Sequence, residues 1–352
     1  MDPAAQGLSR ADGSDVEVEG LEDYLGPWQY LGRRMRLQRQ VRRSIGSYDA
    51  FLLRAPGAVA YLAGQELARR GMPFGVEVLG DPWESLGPGR VTSPWRPLAR
   101  RWSRQWLRRL CRRASTICYV TRHWLQQRYP PGEGAVFCCS DARVTSLAGE
   151  RELAARAQRR REAVRRNRPW QLGFIGSLER LYKAPDAHLR AVEICRRRGV
   201  DVRFAVVGEG RCRPQLERLS QQLGLGESVR FWGAVPAGRP VEEFLDGIDL
   251  FLLASHTEGL PRAMIEALSR SCPAIGSTAG GIPELLAPED LVPPGDPVAL
   301  ASKILEVLQD PARLERMSRR NLDRAGSFTR DRLAATHRKF LEEIRRRAKA
   351  GR

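Results

Sequence analysis

The stretch SHTEGLPRAMIEALS, Ser255–Ser269, follows an apolar run, LFLLAS (Leu250–Ser255), that reads as a buried strand. Pro261 stands at a favoured first helical position, so a helix is expected to open there after a short loop. Glu258 lies on that loop, and Glu266 lies inside the helix, about a turn and a half past its start. Both carboxylates are thereby expected to face one cleft at the C-terminal ends of the strands, where open α/β sheets bind ligands. A carboxylate there accepts hydrogen bonds from vicinal hydroxyls, and the helix start offers free N–H groups to anionic oxygens. Two glutamates at this spacing are, by themselves, ordinary surface residues. Their neighbours in the sequence give them meaning.

Downstream, STAGGIPELL (Ser277–Leu286) repeats the strand, glycine, proline, helix order, and Gly280-Gly281 lets a ligand approach the backbone closely. Upstream, GFIGSLERLYKAPD (Gly173–Asp186) places Gly176 at a strand end and Lys183 near a helix start. A lysine there can neutralise charge on a departing diphosphate. The loop around Gly208 (VGEGR) and the segment LVPPGD (Leu291–Asp296) add two turns at the same end of the sheet. Strands at Gln171–Gly176, Val202–Gly208, Ser228–Gly233, Leu250–Ser255 and Pro273–Ser277 alternate with helices at Ala184–Arg198, Cys212–Leu223, Val241–Gly247 and Arg262–Arg270. Five strands with intervening helices predict a doubly wound domain.

The N-terminal half reads less regularly. Tyr30–Arg43 is a basic helix, Tyr48–Pro56 a short strand, and Ala58–Arg70 a helix stopped by Gly71. Gly75–Glu84 is a second strand turning at Gly80-Asp81-Pro82, Pro97–Ala114 is Arg- and Trp-rich at helical spacing, and Ile117–Thr121 is a third strand before a short helix. This alternation also predicts a parallel α/β sheet. Arg151–Arg168 is highly charged, lacks a clean stop and is expected to be a linker. The expected division is a flexible tail over 1–25, an incomplete acceptor-side domain over 26–168, a ligand-binding domain over 169–320, and a C-terminal helix over 321–352 that crosses back to the first domain.

The ordered motifs GFIGS…K, VVGEG, VRFWGAV, EGLPRAMIEAL, AGGIPE and VPPGD resemble the donor domain of glycosyltransferase family 4, the group 1 glycosyltransferases; the likeness is dense from Trp170 to Asp296 and weaker on both sides. The resemblance implies a GT-B fold: two Rossmann-like parallel-sheet domains facing a cleft, with the N-terminal one shortened here. It implies retaining transfer from a nucleotide-diphosphate sugar, used as co-substrate, with no cofactor and no metal at the diphosphate. Carried over by residue, it implies that Glu258 contacts the donor-sugar hydroxyls, Glu266 the ribose, and Lys183 the diphosphate, with backbone N–H groups around Gly259, Leu260 and Gly281 assisting. Gly176 and Gly208 would border the donor, and the base would lie near Val235. The family carries an arginine where Ser177 stands, and a serine cannot supply a forked, permanently charged donor. Arg180 or Arg262 is the expected substitute. The family's glycine after the lysine is Ala184 here. In the acceptor half, Asp81 or Trp83 occupies the strand tip where the family often has a histidine, so Asp81 is a catalytic candidate beside Glu258 and Lys183, although a turn aspartate is commonly structural. His123 is expected to cap or pack. Met1–Asp23 carries no strand, Gly-rich loop and helix of the family's opening kind: either the domain is pruned or the true start lies upstream.

Composition narrows the partners. No run reaches the ~20 apolar residues of a membrane span, and the polar, acidic N-terminus has no signal-peptide character, so a cytoplasmic location is the default. Seven scattered cysteines and four histidines argue against a zinc site. The net charge of +18 is uneven: residues 1–168 hold 30 Arg and no Lys against 17 acidic groups, a net of +13. That field is explained by a compositional bias toward arginine or by an anionic membrane surface, and no nucleic-acid-binding motif accompanies it. The leading expectation is an enzyme transferring a sugar to a lipid-linked or cell-surface glycan precursor, peripheral at the inner membrane face. The alternatives are a soluble glycosyltransferase with a small acceptor and a GT-B binding protein without activity.

Overall fold

The computed structural model describes residues 18–24, 26–87, 94–142, 144, 146–166 and 168–351. Its first half alternates α1 (Gly26–Gly46), β1 (Leu52–Ala55), α2 (Ala58–Arg69), β2 (Gly75–Val78), α3 (Pro82–Ser85), α4 (Arg96–Arg113), β3 (Thr116–Tyr119), α5 (Trp124–Arg128) and β4 (Ala135–Cys138). The four strands pair in parallel in the order β1-β2-β3-β4. β2 and β3 are buried along their whole length, as parallel strands covered on both faces must be. β4 has no counterpart in the sequence reading, because it is short and only every second residue is half-buried.

α6 (Glu150–Arg166) leads into the second half: β5 (Trp170–Ile175), α7 (Pro185–Arg197), β6 (Val202–Val207), α8 (Arg213–Gln222), β7 (Val229–Gly233), α9 (Arg239–Gly247), β8 (Leu250–Leu253), α10 (Arg262–Ser269), β9 (Ala274–Ser277), β10 (Leu291–Val292), α11 (Pro297–Leu308), α12 (Pro311–Ala325) and α13 (Arg330–Ala350). The sheet is parallel, ordered β10-β9-β8-β5-β6-β7. β10 is a sixth strand where a turn is expected. The strand order reverses between β5 and β8, which is where a doubly wound sheet opens its ligand crevice.

The expected linker at Arg151–Arg168 is a correction: most of it belongs to the 17-residue α6. The helix turns arginines inward. Arg156 is buried and donates to the backbone carbonyls of Leu245 (2.8 Å), Arg270 (3.1 Å) and Ile248. One turn on, buried Arg160 donates to Leu314 O and to Ser318 Oγ at 3.1 Å. Burial pushes the Arg160 guanidinium down to about 10, so it remains charged at neutral pH. An arginine seated among carbonyls satisfies several acceptors at once, which is why a charged helix can lie against this core.

α12 stays with the second domain: Asn321 Nδ2 donates to Cys272 O at 2.9 Å. The chain recrosses at Thr329, whose backbone bridges Val144, so the two inter-domain passages run side by side. α13 then packs on β3 and β4, where Phe340 and Ile344 join buried Cys118 and Cys139 and Phe340 tilts against Phe137. The helix that returns to the first domain therefore begins at Arg330.

Candidate donor site and domain interface

Four loops converge at the strand ends beside the β5/β8 switch. After β5, the chain turns at Gly176 and Ser177, forms a 3-10 turn over Leu181–Lys183, and enters α7 through Ala184 and Pro185. Ala184 is fully buried and left-handed, φ 52°, the conformation that favours glycine. Replacing the family's glycine is thus not free of strain. At Gly208, φ 144°, an added Cβ would overlap the Gly176 carbonyl, so the tips of β5 and β6 touch only because Gly208 lacks a side chain.

After β8, Ser255 and Glu258 turn back toward that first loop. Lys183 Nζ lies 2.7 Å from Glu258 Oε1, with side chains 11% and 8% exposed, and Ser255 Oγ donates to the same oxygen at 2.8 Å. The catalytic lysine and glutamate expected from sequence thus form one buried ion pair at the switch point. Ser277 donates to Ser255 O at 2.6 Å and His256 N to Tyr182 O at 2.8 Å, tying β9, β8 and the lysine turn together.

His188 on α7 braces this corner and has no precedent in the sequence reading. Its Nδ1 lies 2.7 Å from Ala184 O, and its Nε2 accepts from Ala254 N at 3.0 Å. Those partners select the Nδ1–H tautomer. Burial pushes its pKa down to about 4. A lone histidine inside an otherwise apolar helix face gave no sequence signal of this.

Glu266, on α10, is half-buried; burial pushes its carboxyl up, and Arg262 one turn earlier opposes that shift. It has no hydrogen-bond partner among the described residues, which leaves a carboxylate able to accept from hydroxyls. Ser177, Arg180 and Arg262 are exposed, whereas Leu260 is buried. Val235 is half-buried just after β7.

A cleft of 730 Å³ between the domains is lined by Gly80, Asp81 and Ser85 from the first domain and by Arg180, Tyr182, His256, Glu258 and Gly259 from the second. Lys183, Glu266, Gly176, Gly208, Val235 and Gly281 do not line it. Asp81 is held by neighbours of its own domain. Its side chain is fully buried, caps α3 by accepting from Trp83 N at 2.8 Å, accepts from Tyr129 Oη, and pairs with Arg128 at 2.7 Å. These contacts give Asp81 a structural role at the cleft edge. Trp83 stacks beneath Arg100, 3.8 Å from its centroid, and serves packing as well.

The domains meet at the motif glycines. A Cβ on Gly259 would overlap Leu79 O, and one on Gly281 would crowd Thr121. Beside them Glu284, from the AGGIPE motif, accepts from three consecutive N–H groups of the first domain: Arg122 at 2.6 Å, His123 at 3.0 Å and Trp124 at 2.8 Å. His123 makes no side-chain cap at α5; Glu284 caps that helix from the other domain.

Residues 169–310 match the family model described as Glycosyl transferases group 1. The second half of the chain is similar to the group 1 glycosyltransferases. That match supports the sugar-transferring enzyme expected from the sequence. Among curated relatives, Protein CapJ of Staphylococcus aureus is 21% identical over 84% of this chain and 72% of its own length. The putative colanic acid biosynthesis glycosyltransferase WcaL of Salmonella typhimurium is 34% identical over 37% of this chain, a match spanning about a third of that protein (34%). Among solved structures, sucrose-phosphate synthase of Thermosynechococcus elongatus superposes with a TM-score of 0.71 at 16% identity, over 95% of this chain and 86% of that one. Anabaena HepE in complex with UDP and glucose gives 0.65 at 17% identity, over 91% and 84%. These likenesses establish the GT-B fold along nearly the whole chain.

Proposed function

We propose that this glycosyltransferase is a retaining enzyme of family 4 that moves a sugar from a nucleotide-diphosphate sugar to a lipid-linked or cell-surface glycan precursor. The observation that carries the donor half is the buried Lys183–Glu258 pair at the sheet's switch point. In this arrangement each residue neutralises the other. A bound diphosphate offers Lys183 a new anionic partner, which releases Glu258 to accept from sugar hydroxyls. Glu266 would take the ribose, backbone N–H groups at Gly259, Leu260 and Gly281 would meet the phosphates or sugar, and exposed Arg180 or Arg262 would supply the guanidinium that Ser177 lacks. The HepE complex with UDP and glucose supports a uridine donor. The likeness to WcaL, a putative colanic acid biosynthesis glycosyltransferase, supports a glycan acceptor, and the arginine-rich first half supports an acceptor held at an anionic membrane surface. Among the described residues no helix is long and apolar enough to cross a membrane.

Thermal shifts with UDP, GDP, ADP and their sugars test the donor, because a ligand that binds only the folded state raises its melting point. One nucleotide should stand out, and Lys183→Ala should lose at least about tenfold in its affinity, the cost of a charge-assisted contact. Unchanged affinity in Lys183→Ala would remove the lysine from the site. Product from a radiolabelled donor should partition with extracted lipid, and its anomeric configuration by NMR should match the donor's. Transfer confined to small soluble acceptors would refute the lipid-linked acceptor.

A further inference from the structure

We infer that α1, α2 and α4 form a membrane-docking face for anionic lipid, specified by two outward apolar stripes set in a field of arginines; this rests on the reading of a membrane-held acceptor. On α1, Trp28, Leu31 and Met35 follow the i, i+3, i+7 spacing of one helix side, and at the start of α4 Trp95, Leu98 and Trp102 repeat it. All six are exposed, by 51–73%. Each helix has already buried another side: Leu37, Val41 and Ile45 on α1, and Leu107 and Leu110 on α4. The stripes are therefore surplus to the core, and three exposed tryptophans on two helices that both pack on α2 are unusual for a surface that meets only water.

The helices lie side by side through α2. α1 packs along α2, whose Tyr61 sets its ring edge-on to Trp102 at 4.8 Å and to Trp106 at 5.3 Å. A groove of 180 Å³ separates α2 from α4, walled by Tyr61, Gln65, Trp102, Arg109 and Arg113. α1 carries six arginines and α4 eight, and neither contains an acidic residue. Arg34, Arg39 and Arg43 on α1, and Arg101, Arg109, Arg112 and Arg113 on α4, make no ion pair with any described residue. The one carboxylate on α2, Glu66, is buried and consumed by Arg42, Arg69 and Arg70.

Apolar and cationic groups in this mixture fit a lipid interface. Indole and aliphatic side chains settle at the acyl boundary, while guanidinium groups reach the phosphates above it. A nucleic acid would use the arginines and leave Leu31, Met35 and Leu98 without a role. The face also leads to the cleft: α4 packs on α3, and Arg100 stacks on Trp83, two residues from cleft-lining Asp81 and Ser85. An acceptor anchored in the same membrane would enter past α3.

Flotation of the full chain with vesicles of phosphatidylcholine alone, or mixed equally with phosphatidylglycerol, tests the face. Binding should favour the mixed vesicles, blue-shift tryptophan emission and weaken with salt. The triple variant Trp28→Ser/Leu31→Ser/Met35→Ser and the double variant Trp95→Ser/Leu98→Ser should each lower partitioning about tenfold or more, as lost interfacial burial requires. Arg101→Gln/Arg109→Gln/Arg113→Gln should abolish the preference for phosphatidylglycerol. Circular dichroism and an unchanged nucleotide-induced melting shift identify folded variants. Undiminished binding by folded stripe variants would overturn this face and leave the membrane reading standing. No binding to mixed vesicles at low salt would overturn both. Displacement from vesicles by a random single-stranded oligonucleotide, with oligonucleotide affinity indifferent to the serine substitutions, would assign the face to nucleic acid instead.

Discussion

His188 shows how much of the donor site depends on one buried side chain. It joins the lysine turn at Ala184 O to the end of β8 at Ala254 N, and burial holds it neutral with a pKa of about 4 against an ordinary 6.5. Because its folded value is depressed, its share of stability is fully present above pH 6.5 and is lost as pH falls toward 4. Linkage places that share near 3 kcal/mol. Urea midpoints across this window should fall for the natural chain, and the loss should be smaller in His188→Gln. Parallel pH curves for the two proteins would refute it. Carboxylates held at about 2 by arginines, Glu66 and Glu343, begin to lose their contribution only below pH 4.5, at the bottom of the window. Lys183 and Glu258 were legible as candidate site residues from their motifs. Their mutual contact was not, since 75 residues separate them in sequence.

Two elements depend on polar contacts that no hydrophobic pattern announces. α6 reads as a linker because its inward positions include Arg156 and Arg160, four residues apart, where a periodicity argument seeks apolar groups. Arg156→Ala should cost about 3 kcal/mol by urea denaturation, because three buried carbonyls lose their donor. A change below about 0.5 kcal/mol, the level of an ordinary surface substitution, would show those carbonyls to be satisfied otherwise. α5 presents the second case. Its first N–H groups are capped by Glu284 from across the interface rather than by its own His123. Glu284→Ala should leave those donors unmet and loosen the domains. Calorimetry should then resolve a broader or split transition, with the apparent KM for acceptor raised more than that for donor. A single sharp transition with unchanged kinetics would reduce Glu284 to a local cap.

Across the whole molecule, the two sheets are coupled by three features: the crossing at Val144 and Thr329, the return of α13 onto β3 and β4, and the contact of Gly259 and Gly281 with Leu79 and Thr121. The glycines that the motifs offer to a ligand also permit the domains to approach. The cleft is thereby built with Arg180, Glu258 and Gly259 on one wall and Gly80, Asp81 and Ser85 on the other. The charge asymmetry gains a shape at this scale as well. Arginines dispersed through the first 168 residues gather on α1 and α4, while many arginines of the second half are neutralised locally, as Arg313 and Arg320 are by Asp290.

By itself the sequence determined the α/β class, the doubly wound order of the second half, and the motif loops at the strand ends. Strand and helix periodicity, glycine and proline are local signals, and they remain readable without the fold. Tertiary structure alone decided which groups meet: Lys183 with Glu258, His188 with Ala254, Glu284 with α5, Asp81 with Tyr129 and Arg128. Those pairings are set by packing between distant segments. A buried polar group is held by whichever partner the fold brings within about 3 Å, and sequence spacing carries no record of that distance.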